Sequence, residues 1–215
     1  RLVCLADAHG VIHPLQAELP SVLGEALPSS IADTLRHMAL GQSVDNLRLI
    51  RELVRLVTLL RERDIRVLAV KGPVLAALAH GDPCARACWD LDLLVPPDDM
   101  VAARDILQAD GYRLNLALSD DTERAFARAR REYIFEHPGT GRHVDLESSL
   151  VPAYFPFPTD PAALWSERID VDLAGATLPS LRCEDLLVQL CVHGTKHVWG
   201  QIGWILDVAG LVQRH

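Results

Sequence analysis

Apolar residues recur at helical spacing after Ser43: Leu47, Ile50, Leu53, Val54, Val57 and Leu60 share one face, and arginines and glutamates lie between them. The spacing predicts an amphipathic helix over 43–63, capped by Ser43 or Asp45, with one face on the core. A shorter helix is predicted ahead of it, opened by the Ser30 and Asp33 box and closed at Gly41. Residues 1–28, punctuated by His, Gly and Pro, give no assignment. After residue 63 the pattern changes. Residues 67–70 form a short apolar run, Lys71-Gly72-Pro73 a tight turn, and residues 74–80 a helix-like segment. A loop over 81–89 leads to a second apolar run that carries Asp90 and Asp92, and Pro96 and Pro97 end it.

Downstream, Asp98 or Asp99 is expected to cap a helix to about residue 109, with Gly111 at its C-terminal end. Residues 112–118 alternate weakly as a strand, and 120–130 read as a charged surface helix. Residues 132–136 and 142–148 make a hairpin joined by Pro138-Gly139-Thr140-Gly141. A proline- and aromatic-rich ordered linker over 151–161 is followed by a short helix near 162–165 and weak strands at 169–173 and 177–178. A helical end follows, with its last helix starting near Ile202. The expected fold is α/β (α+β): a small mixed sheet wrapped by N- and C-terminal helices. It divides into a helical segment 1–63, a core 64–150 and a mostly helical segment 151–215. The chain opens on Arg1 and stops inside an apolar-periodic stretch, so it is expected to continue beyond the given residues.

The acids carry the chemistry. Residues two apart on a strand point to one face, so Asp90 and Asp92 project together while Leu91 and Leu93 face the core. Two carboxylates side by side on a buried strand repel each other and lose hydration, which a divalent cation would offset. Asp145, in Val144-Asp145-Leu146-Glu147, repeats the alternation on the second hairpin arm and supplies a third carboxylate. Three carboxylates from neighbouring strands can hold two Mg²⁺ ions about 4 Å apart. The turn at Gly72, between strand and helix, is a natural phosphate grip.

Composition narrows the partners. The net charge is −8 with acids spread along the chain, which disfavours nucleic acid as principal partner. The one basic cluster, 124–131, reads as an exposed helix face. Five cysteines without framework spacing read as free thiols, and a cytoplasmic location is expected. No apolar run approaches the roughly 18 residues of a membrane span. His193 and His197, and Cys84 and Cys88 with His80, have spacings open to zinc, but the ordinary readings are preferred. The first pair lacks the metalloprotease Glu, and buried thiols are the ordinary reading of the second.

The ordered set of Gly-containing turn, Asp-x-Asp strand and later single-Asp strand resembles the nucleotidyltransferase superfamily typified by DNA polymerase beta. More narrowly, Lys71-Gly72-Pro73, Gly81-Asp82, Arg86, the run Asp90-Leu91-Asp92-Leu93-Leu94-Val95 and Gly111-Tyr112-Arg113 resemble a family of bacterial nucleotidyltransferases of largely uncharacterised substrate. His193-Gly194, Lys196-His197, Trp199 and Trp204 with Asp207 fit its C-terminal pattern. The resemblance implies that Asp90 and Asp92 bind both metals and that Asp145 binds the catalytic metal and helps deprotonate the acceptor. It further implies that Gly72 approaches the triphosphate and that Lys71, Arg86 and Lys196 contact it.

The implied activity is Mg²⁺-dependent transfer of a nucleoside monophosphate from a nucleoside triphosphate, with ATP expected, to a small-molecule or protein acceptor. Two departures stand out. Pro73 occupies the place of a common Ser and lacks an amide hydrogen. Glu147 stands where relatives often carry His, as a spare ligand or a solvated acid. The alternatives are a non-catalytic nucleotide-binding or interaction module of the same fold, and a toxin-like nucleotidyltransferase acting on tRNA.

Overall fold

The computed structural model describes residues 1–115, 132–152, 155 and 160–215. The expected helix over 120–130, the basic cluster, the end of the strand to residue 118 and most of the 151–161 linker lie outside the described residues.

Three helices open the chain: α1 (Leu2–Ala8), α2 (Ile12–Leu23) and α3 (Ser29–Arg61). The first two fall where no hydrophobic pattern predicts an element. They form a satellite cluster in which Ala6, Val11 and Ile12 pack on Leu35 and Ala39 of α3. The two helices expected over 30–63 are one continuous helix, so Gly41 does not end it. A mid-helix glycine costs only ~1 kcal/mol, and the apolar face of a 33-residue helix outweighs that. Nor does the Ser30 box cap it, since α3 starts at Ser29 without a side-chain cap bond. Leu49, Ile50, Leu53, Leu56, Val57 and Leu60 are buried, whereas Leu47, at the margin of that face, is 55% exposed.

Next come β1 (Leu68–Ala69), α4 (Gly72–His80), β2 (Asp90–Leu94), α5 (Met100–Ala109) and β3 (Arg113–Leu114). The hairpin follows as β4 (Glu132–His137) and β5 (Arg142–Glu147). These five strands form one sheet of order β1-β2-β5-β4-β3. β2 and β5 run parallel, and the other pairs are antiparallel. The chain continues through α6 (Pro161–Ser166), a separate hairpin of β6 (Ile169–Leu173) and β7 (Ala176–Ser180), α7 (Cys183–Lys196) and α8 (Ile202–Arg214).

Register and pleat sort the sheet's side chains. Leu91 pairs with Val144 and Leu93 with Leu146, and β4 adds Phe135 and Tyr133 to the same face. All six are buried in the main core with α3 and α5. The opposite face therefore carries Asp90 beside His143, Asp92 beside Asp145 and Leu94 beside Glu147, with Glu132 beyond Glu147. Here Leu94 joins a second cluster with Leu75 and Ala79 of α4, Leu186 and Leu190 of α7 and Leu211 of α8. Helices α4 and α8 approach so closely that a Cβ on Gly210 would stand 2.5 Å from the Ala79 carbonyl oxygen. Among the described residues no helix is long and apolar enough to cross a membrane.

Candidate active site

The three predicted carboxylates come together on that second face. Asp92 and Asp145 are direct register partners on parallel strands, and Asp90 stands two residues along on the same side. Adjacent strands lie about 4.8 Å apart, so the acids form a compact group. Burial raises the Asp145 carboxyl to about 7, helped by the negative charges of Asp92 and Asp90. Asp90 is also raised, by burial first and then by Asp92. Glu147, expected as spare ligand or solvated acid, is 18% exposed at its side chain, and burial raises it too. Four carboxylates thus share one partly dehydrated face.

Lys71 is the cation among them. Its Nζ donates to Asp92 Oδ1 and lies 3.9 Å from Glu147 Oε1. Burial alone would favour a neutral amine, but Asp92 and Glu147 more than reverse this and keep it protonated. Lys71, even with the charges of Arg86 on Asp90 and Lys196 on Glu147, is outnumbered by the acids of this face, Glu132 included. Among the described residues no three His, Cys, Asp or Glu side chains close around a common point as a metal cage does. An all-oxygen, incompletely closed donor set suits Mg²⁺, which retains waters and binds through one or two carboxylates plus substrate phosphates. Asp90, Asp92 and Asp145 fit that ion by chemistry and charge.

The turn that carries Lys71 is held against β2. Val70 donates to the Asp92 carbonyl at 3.1 Å. Gly72 has φ +55°, and a Cβ there would sit 3.4 Å from the Asp90 carbonyl oxygen in a left-handed backbone. Glycine is thus favoured at Gly72 by its left-handed backbone. Pro73 is buried at the start of α4, a position that tolerates a missing amide hydrogen.

Lys196 lies at the end of α7 and helps hold Glu147 down against burial. With Lys71, Glu132, Glu147, Gln189 and His193 it lines a cleft beside the acids. Gln189 reaches Glu147 at 3.4 Å. The His193 imidazole is pushed down to about 4, by burial first and then by Lys71, so it is neutral at physiological pH. It packs edge-on to Trp204, and no zinc geometry surrounds it or His197 among the described residues. Cys84 and Cys88 are free thiols.

Arg86, whose charge lowers the Asp90 carboxyl as that of Lys71 does, makes its own bonds toward α8. Its Nε donates to Asp207 Oδ2 of α8 at 2.8 Å, and His80 meets the other carboxylate oxygen at 2.9 Å. Burial would raise Asp207, but Arg86 and His80 hold it below the ordinary range. Asn46 of α3, 1% exposed, donates to the Arg86 carbonyl at 2.5 Å and reaches those of Pro83 and Cys84 at 3.4 Å. Sequence reasoning missed Asn46, which looks like an ordinary polar position on an amphipathic helix. Asp207 was noticed only as part of a pattern, because its partners are 121 and 127 residues away.

Solved structures of similar fold exist. The antibiotic-resistance factor ANT(2'')-Ia, in its solution structure, matches 77% of this chain and 85% of its own, at 13% identity and a TM-score of 0.53. The lincosamide antibiotic adenylyltransferase LnuA, solved with lincomycin bound, matches 77% of this chain and 97% of its own, at 13% identity and a TM-score of 0.51. Identities this low establish the fold alone. Among curated proteins none matches the chain in sequence. The profile of a family described as uncharacterised nucleotidyltransferase matches residues 1–215. With the match spanning the full given sequence, this chain belongs to that nucleotidyltransferase family.

Proposed function

We propose that the protein moves a nucleoside monophosphate from ATP to a small-molecule or protein acceptor in a Mg²⁺-dependent reaction that releases pyrophosphate. The observation that carries the reading is the in-register pairing of Asp92 with Asp145 on parallel strands, beside Asp90 on the same face. In this reading Asp90, Asp92 and Asp145 hold the metal, and Asp145 also takes the proton of the acceptor hydroxyl. Bound Mg²⁺ supplies Lewis-acid stabilisation of charge on the entering and leaving oxygens. The acceptor oxygen forms a bond to the α-phosphorus as the bond to pyrophosphate breaks.

Lys71 serves as the resident counter-charge of Asp92 and would contact the triphosphate. Lys196, on the rim of the same cleft, is the second phosphate contact. Gly72 keeps the turn close enough for its backbone to approach the phosphates.

The net charge of −8 supports a small-molecule or protein acceptor over nucleic acid. The lincomycin-bound adenylyltransferase of similar fold supports the small-molecule case.

The test is pyrophosphate release from labelled ATP and Mg²⁺ across a panel of acceptors, with Asp92→Asn as control. Turnover that vanishes in a folded Asp92→Asn protein supports transfer. Tight ATP binding with no pyrophosphate release under any condition would favour the non-catalytic module, which Pro73 and its missing amide hydrogen motivate. Growth arrest on expression, relieved by Asp92→Asn, would point to a toxin acting on tRNA.

A further inference from the structure

Residues 81–89 lead from α4 to Asp90, and two helices distant in sequence, α3 and α8, both bond that segment. From α3, the Asn46 amide binds the carbonyl of Arg86 at 2.5 Å and approaches those of Pro83 and Cys84 at 3.4 Å. From α8, Asp207 binds the Arg86 guanidinium at 2.8 Å. Asn46 and Asp207 are each 1% exposed, so neither grip is exchanged for water without cost. His80, the last residue of α4 before the segment, is tied to the same Asp207 carboxylate at 2.9 Å. The start of the loop and its Arg86 are thereby fixed to one buried acid. Arg86 donates further toward Ala87 and Cys88, which with Trp89 lead into β2.

We infer that Asn46, Arg86 and Asp207 form a clamp that sets the position of Asp90, making them positioning residues for the metal site rather than nucleotide contacts. The inference rests on the proposed metal reading for one of its two readouts. The Arg86 guanidinium is bonded through Nε to a buried carboxylate of α8, while its charge still reaches Asp90. A triphosphate contact that drew Arg86 off Asp207 would leave that buried acid with His80 as its remaining partner, a costly exchange. A clamp acts on the strand instead. A shift of Asp90 by a fraction of an ångström changes how well it shares a cation with Asp92.

The experiment compares wild type with Asn46→Ala, Arg86→Ala, Asp207→Asn and the double variant Arg86→Ala/Asp207→Asn. Nucleotide-free Mn²⁺ binding is read by electron paramagnetic resonance, and amide hydrogen exchange is read across residues 81–92. Residues that orient metal ligands usually change affinity by about 10–100-fold. The clamp predicts a loss of that size in Mn²⁺ affinity for each single variant, with faster exchange over 81–92 and little change in the rest of α3. The double variant should be no worse than Arg86→Ala alone, because the pair acts as one unit.

The inference is overturned if Asn46→Ala and Asp207→Asn lower thermal stability while Mn²⁺ affinity stays at the wild-type value. It is equally overturned if Arg86→Ala leaves Mn²⁺ binding intact and weakens only ATP binding, as a phosphate contact would. A wild-type protein that binds no Mn²⁺ would sink the metal reading. Exchange over 81–92 would then decide the clamp by itself, with unchanged rates in all three single variants rejecting it.

Discussion

Asp145 is asked to stay buried beside two other acids and yet to offer a charged oxygen. Its carboxyl sits at about 7 against an ordinary 3.8, from burial and the charges of Asp92 and Asp90. The folded protein therefore keeps a proton that the unfolded chain has already lost. Without metal, this group makes the fold less stable as pH climbs from about 4 to about 7, and has no further effect above that. Replacing Asp145 by Asn removes the penalty. Metal-free Asp145→Asn should melt above wild type at pH 8, by about 2–4 °C for each ~1 kcal/mol recovered, with the gap closing near pH 4, while turnover is lost. Differential scanning calorimetry at the two pH values checks it, and a lower melting temperature for the variant at pH 8 would contradict it. The same proton competes with a cation, so Mn²⁺ affinity should rise with pH and level off above about 7. Gly72 gives a second residue-scale prediction. At φ +55° any Cβ is strained, at a cost of about 1–2 kcal/mol, and the displaced turn would carry Lys71 off Asp92. Gly72→Ala should lower both stability and ATP affinity.

At the scale of elements, the long helix α3 holds the scaffold. It passes through Gly41 unbroken, and an added Cβ there meets nothing within 4 Å. Gly41→Ala should raise stability by about 0.5–1 kcal/mol, seen as a higher denaturant midpoint with an unchanged slope. A destabilised variant would mean that the helix bends at Gly41. The strands were readable because a period of two shows in short words: Asp-Leu-Asp-Leu and Val-Asp-Leu-Glu announce both the pleat and which face carries acid. That Lys71 would lie on Asp92 and Asp207 on Arg86 was not readable. Those pairs span 21 and 121 residues, and nothing local distinguishes a committed cation from a free one. Helices α1 and α2 were missed for a related reason. They bury few residues, chiefly Ala6 and Ile12, so no periodic stripe marks them. Gly41 misled because a glycine ends a helix only when tertiary packing does not carry the helix onward.

Across the whole molecule, two cores meet at the sheet. The larger core supports it from the side of α3 and α5, and the other lies among α4, α7 and α8 on the acid-bearing face. The acids are thus fixed on a strand pair, while the lysines that answer them come from the turn before α4 and from α7. Binding of a metal–nucleotide complex should relieve the repulsion among the four carboxylates and stabilise the entire fold. At a hundred times its dissociation constant, Mg²⁺·ATP should contribute ~2.7 kcal/mol, a rise of roughly 5–10 °C in melting temperature for a chain of this size. Asp92→Asn should erase that rise. The most direct test of the central claim is a crystal structure with Mn²⁺ and a non-hydrolysable ATP analogue, located by anomalous scattering. The account predicts a Mn²⁺ peak bonded to carboxylate oxygens of Asp90 and Asp92, with the triphosphate running toward Lys71 and Lys196. A metal peak elsewhere, or a nucleotide bound away from the Asp90, Asp92 and Asp145 face, would contradict it.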